Sequence, residues 1–135
     1  AVRGPAGPTP GGRVALVARR DCAEVAAQVV RDVATGGTAH DGVTYTLTGP
    51  EAPTLGEAVE RAAAVTGRPL RYVEETLEEA YAARAAAYPG TADWQLDAWV
   101  STYTAIADGS VAEVTGDVRR VLGREPLTLE QALAG

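Results

Sequence analysis

Lysine is missing from this chain. All twelve of its basic residues are arginines, which excludes a lysine Schiff base, a phosphate-loop lysine and any Tyr-x-x-x-Lys pair. Cysteine occurs once, at Cys22, so an internal disulfide and a cysteine-rich zinc site are excluded. Histidine also occurs once, at His40. That argues against a histidine-based metal cluster, and any histidine-bearing catalytic triad would have to use His40. No apolar run approaches the roughly 20 residues needed to cross a bilayer, and no signal sequence is visible. A cytoplasmic protein is the default expectation. Methionine is absent and the first residue is Ala1, a start that fits loss of an initiator, of a tag or of a whole preceding domain.

What is present suits a globular domain. The chain has 135 residues, 46% of them hydrophobic and 22% charged, enough for one modest core. Its net charge of −6 argues against nucleic-acid binding, because a phosphate backbone needs a basic surface.

The stretch from Val43 to Val73 carries the clearest pattern. Val43, Tyr45 and Leu47 alternate with Thr44, Thr46 and Thr48, the two-residue period of a strand with one apolar face. After Gly49-Pro50, Thr54 and Glu57 stand at capping-box spacing. Leu55, Ala58, Val59, Ala62 and Val65 then repeat at helical spacing, and Gly67 and Pro69 end the run. Leu70 to Val73 reads as a second strand, so this unit predicts a parallel pair joined by a crossover helix. Ahead of it, Ala1 to Gly12 holds Pro5, Pro8 and Pro10 and reads as a flexible or extended arm or linker. Arg13 to Ala18 reads as a buried strand. Asp21 reads as the N-cap of a helix with Glu24 three residues on, ending at Gly36-Gly37. After Val73, Thr76 and Glu79 predict another capping pair, and Asp93 predicts the cap of the most apolar helix, which carries Leu96, Trp99, Val100, Tyr103 and Ile106. Short helices are expected from Asp117 to Leu122 and after Thr128.

The expectation is an α/β fold: a small, mostly parallel three-stranded sheet with crossover helices, then a helical C-terminal half. Residues 1–12 would be an arm and 13–135 a single domain. A parallel sheet needs cover on both faces. The helices available leave apolar surface for a second copy, giving a homodimer, or for a missing domain.

Three motifs in order carry a resemblance: the strand-Arg-Asp-helix start at Val14–Val25, TYTLTGPE-A-x-TL-x-E at Thr44–Glu57, and GRP-x-RYVEE-x-L-E-E-A at Gly67–Ala80. The tail from Asp108-Gly109 to Gly123-Arg124-Glu125-Pro126-Leu127-Thr128-Leu129 continues the pattern. Together they resemble the C-terminal half of NmrA-like proteins, atypical short-chain dehydrogenase/reductases related to NAD(P)H:quinone reductases and NAD(P)-dependent epimerases. The resemblance implies a Rossmann domain that binds NAD(P) and a smaller portion that shapes the substrate pocket. The family's glycine-rich loop between a strand and a helix is absent. Gly4, Gly7, Gly11 and Gly12 precede the first expected strand, so no cofactor is expected from this chain; NAD(P) enters only with an upstream Rossmann domain. The resemblance implies a substrate-side role for the loops at Arg20, Thr48 and Glu74 and for the Trp94–Tyr103 helix.

Parallel strands would share one carboxyl rim, where ligands of open α/β sheets bind. Arg20, Thr48 and Glu74 leave that rim. A carboxylate beside a pocket of Tyr72, Trp94, Trp99 and Tyr103 is a candidate acid or base, with Glu74 and Asp93 leading. Caps, solvated loops and ordinary core packing account for the same residues. The expected function is a truncated reductase-like protein that binds a small apolar or aromatic molecule and catalyses a non-redox acid–base step such as cyclisation, isomerisation or dehydration. The alternatives are a fragment of a conventional NAD(P)-dependent oxidoreductase and an interaction module.

Overall fold

A computed structural model describes residues 1–7 and 11–134 of the chain. The elements in order are β1 (Val2–Gly4), α1 (Arg19–Ala34), α2 (Leu55–Thr66), β2 (Tyr72–Glu74), α3 (Leu77–Ala87), α4 (Asp93–Ala107), α5 (Asp117–Leu122) and α6 (Leu129–Ala134). The chain is α/β, with one small parallel sheet and mostly helices. No helix among the described residues is long and apolar enough to cross a membrane. The elements fall into two compact units, Ala1–Val14 with Pro53–Ala112, and Ala15–Ala52 with Glu113–Gly135.

The first unit holds the sheet. β1 and β2 pair in parallel, Val2 opposite Tyr72, Arg3 opposite Val73 and Gly4 opposite Glu74. Val2–Gly4 lies inside the stretch read from sequence as an arm. Three residues are too few to show a period, so nothing local marks this strand; Pro8 and Pro10, which suggested the arm, lie outside the described residues. Gly7, Gly11 and Gly12 therefore follow a strand rather than precede the first one, yet the first helix starts only at Arg19. At Gly12 a side chain is excluded sterically: a Cβ would fall 1.8 Å from the Ile106 carbonyl oxygen of α4. Both helices beside β2 start as their sequences predict. Thr54 accepts from the Glu57 backbone while Glu57 accepts from the Thr54 backbone, and Thr76 and Glu79 repeat the exchange. Gly67 ends α2 in the left-handed conformation, at φ 65°. Ala58 and Val59 of α2, Ala80 of α3 and Val100 of α4 form the buried apolar positions of this unit's helices.

The second unit corrects the strand assignments. Arg13 to Ala18 forms no strand; Arg13 makes a single bridge to Thr54 and the chain then runs without regular structure to α1. The alternating Val43–Thr48 segment is also outside any strand. Its backbone is satisfied by side chains: the Thr46 N–H donates to Asp117 at 2.8 Å, and the Thr115 hydroxyl donates to the Thr46 carbonyl. Of three expected strands, the one at Leu70–Val73 is present, shifted to Tyr72–Glu74, and its partner is β1. Two helix caps are corrected as well. α1 begins two residues before Asp21, with Ala18 as N-cap, and α4 begins at Asp93, with Ala92 as N-cap; neither cap uses a side chain. Asp21 is instead fully buried. It accepts from Arg124 and from the Leu127 backbone, each at 2.8 Å. Val25 of α1 and Val118 of α5 close the apolar core here.

Candidate functional site

The first unit contains an open cavity of about 500 Å³ lined by Arg84, Tyr88, Trp99, Thr102 and Tyr103. Two helices make it by the same device. Arg84 and Tyr88 lie four residues apart at the end of α3, and Trp99 and Tyr103 lie four residues apart on α4, so each pair shares a helix face. The Tyr88 and Trp99 rings meet at 5.2 Å between centroids, tilted by 59°, within the contact range of aromatic pairs. The Arg84 guanidinium lies 5.1 Å from the centre of the Tyr103 ring, within reach of a cation–π attraction.

Arg84 is held from behind. Its Nη1 donates to Glu75 Oε2 at 3.3 Å and to the Ala80 carbonyl at 2.9 Å, and its Nη2 donates to the Arg3 carbonyl at 3.3 Å. The Arg84 side chain is 14% exposed and that of Glu75 only 7%. A guanidinium carries five N–H donors, so two remain without a protein acceptor among the described residues. The Thr102 hydroxyl donates to the Trp99 carbonyl. The site thus presents aromatic faces and a few fixed polar groups, a composition suited to a flat organic molecule.

The residues singled out from sequence are distributed as follows. Trp99 and Tyr103 line the cavity. Trp94 is 69% exposed and is not part of its wall. Tyr72 is engaged structurally: its hydroxyl donates to the Gly4 carbonyl at 2.6 Å and accepts from the Ala6 N–H at 3.1 Å. Those bonds leave it part-buried, and burial is the main cause that pushes its phenol above the ordinary range. Glu74 is exposed at the end of β2 and Asp93 is exposed in the first turn of α4; neither lines this cavity. Arg20 and Thr48 belong to the second unit. There Arg20 pairs with Glu24 at 2.8 Å, and buried Thr48 exchanges hydrogen bonds with the Thr115 backbone.

Arg84 and Tyr88 were missed as site residues by sequence reasoning. The available signal was their four-residue spacing, matching that of Trp99 and Tyr103. His40 has a side chain only 11% exposed, with Nδ1 2.8 Å from the Tyr45 hydroxyl and Nε2 2.9 Å from Asp32. That bond is the main reason the Asp32 carboxyl lies below its ordinary value. Both ring nitrogens are committed, so His40 ties its loop to the end of α1.

No protein-family model matches the chain. It is 35% identical over 111 residues to the (4-alkanoyl-5-oxo-2,5-dihydrofuran-3-yl)methyl phosphate reductase of Streptomyces griseus subsp. griseus, a match covering 82% of this chain and 36% of that protein. It is 32% identical over 120 residues to the NAD(P)H azoreductase of Xenophilus azovorans, covering 89% of this chain and 40% of that one. The chain therefore spans about two fifths of the curated relatives it matches. The NADPH-dependent quinone oxidoreductase of Escherichia coli superposes with a TM-score of 0.76 at 23% identity, over 98% of this chain and 44% of that structure. At that identity the likeness is one of fold.

Proposed function

We propose that this chain forms the substrate-side portion of an NAD(P)H-dependent reductase of the NmrA-like, atypical short-chain kind, with the nicotinamide cofactor held by a dinucleotide-binding segment outside these 135 residues. The observation that carries this reading is the similarity to two reductases over 82% and 89% of the chain. It favours a reductase over the non-redox acid–base step expected from sequence. No residue of this chain is assigned to the cofactor, because the first helix after Gly11 and Gly12 starts only at Arg19. When bound, the cofactor supplies the hydride. The described residues supply recognition: Tyr88, Trp99 and Tyr103 offer ring faces to a flat, largely apolar substrate, and Arg84 offers N–H donors to an acceptor atom on it.

The test is NAD(P)H consumption by the protein as its native gene encodes it, with a quinone, an azo compound and a (4-alkanoyl-5-oxo-2,5-dihydrofuran-3-yl)methyl phosphate as acceptors. Turnover with at least one is expected. Trp99→Ala should lower kcat/KM about tenfold, the size of losing one stacked ring, with the circular dichroism spectrum unchanged. An absence of NAD(P)H consumption with all three acceptors overturns the reading, and so does a Trp99→Ala variant with full activity.

A further inference from the structure

The cavity contains a cation that its own surroundings have neutralised. Arg84 lines the wall, and the Glu75 carboxylate sits behind it, 3.3 Å away and nearly sealed from solvent. Resting on the proposed reading of this cavity as the substrate site, we infer that Glu75 is a specificity-determining residue that makes the cavity select uncharged, hydrogen-bond-accepting planar ligands over anionic ones of the same shape.

An arginine in an aromatic pocket is ordinarily a carboxylate or phosphate receptor, because its planar fork donates to two anionic oxygens. Here one donor of that fork is already committed to Glu75 and two others to the Ala80 and Arg3 carbonyls. An incoming anion would give up its hydration and meet a pair whose net charge is zero, with the Glu75 carboxylate 3.3 Å behind the guanidinium. A neutral ligand with a carbonyl or amide oxygen does not incur that penalty. It needs only the two uncommitted N–H groups of Arg84 and the ring faces of Tyr88, Trp99 and Tyr103. Arg84 contacts the ligand, whereas Glu75 acts through Arg84 and is not among the lining residues.

The experiment uses two probes that differ in charge and almost nothing else, 2-naphthamide and 2-naphthoate. Titration calorimetry on the protein as its native gene encodes it reads the ratio of their dissociation constants. The wild-type protein is expected to prefer the amide by about tenfold or more, the scale of one unfavourable charge contact. In Glu75→Gln the guanidinium is no longer neutralised, and naphthoate affinity should rise about tenfold while naphthamide affinity stays within about threefold. A merely structural role for Glu75 would weaken both probes together. Even if Glu75→Gln does not fold, the wild-type ratio still tests the selectivity itself. Equal binding of both probes, or a preference for naphthoate, overturns the inference and leaves the substrate site standing. Binding of neither probe removes the cavity as a site for flat ligands and takes the inference with it.

Discussion

Asp21 shows how a single residue can look like one device and serve as another. Its place ahead of an apolar stripe, three residues before Glu24, matches a helix cap, yet its carboxylate receives Arg124 and the Leu127 N–H across roughly a hundred residues of sequence. Arg124 bonds to Glu24 as well as Asp21, and these carboxylates hold its guanidinium above its ordinary value. Asp21→Ala should destabilise the chain by about 1–3 kcal/mol, since it strands a buried N–H donor and removes a charged acceptor. Asp21→Asn keeps an oxygen for Leu127 and should lose less. Urea denaturation of the two variants checks the order. A loss in the asparagine variant equal to that in the alanine variant would show that the charge, not the Leu127 bond, is what matters. The same limit on local reading explains the site. Trp99 and Tyr103 were legible because apolar aromatics on one helix face stand out. Arg84 was not, because a charged residue near a helix end is ordinary until its partners, Glu75 and Tyr103, are known.

At the scale of elements, the helices were legible and the strands were not. Capping boxes are local, so Thr54 with Glu57, Thr76 with Glu79, and Thr128 with Gln131 can be read directly and are all formed. A strand depends on its partner. Val43–Thr48 has the right alternation but its backbone goes to Thr115 and Asp117, while the unremarkable Val2–Gly4 finds β2. The boxes also carry a pH dependence. Hydrogen bonds from the Thr54 and Thr76 backbones are the main cause that lowers the Glu57 and Glu79 carboxyls below their ordinary value of 4.5. A carboxyl depressed in the folded state contributes stability above its unfolded value, and that contribution is lost as pH falls through the folded value. Glu57→Gln and Glu79→Gln keep an acceptor oxygen but cannot titrate. Stability measured by urea titration from pH 7 downward should therefore decline less steeply below about pH 4.5 in the double variant; an identical acid limb would rule the boxes out as its source.

For the molecule as a whole, charge sets the behaviour in solution. The net charge is −6 at pH 7 and the sequence isoelectric point is near 4.7. Self-repulsion vanishes at about the pH where the capping carboxylates begin to lose their contribution, so solubility and stability should fail together. Light scattering across pH 4 to 7 should place the onset of association close to the isoelectric point, and an onset well above it would point to apolar contacts as the cause.

The two units are interleaved along the chain: each is assembled from two separate stretches, and the polypeptide crosses between them three times, ending in the second. During synthesis this imposes a wait. Tyr72, whose hydroxyl fastens the Gly4 carbonyl, is made 68 residues after Gly4. At about 5–20 residues per second, β1 spends roughly 3–14 s outside the ribosome with no β2 to join. For that interval β1 has no β2 to pair with, and a strand of three residues with an arginine at its centre and a glycine at its end is a poor template for another chain.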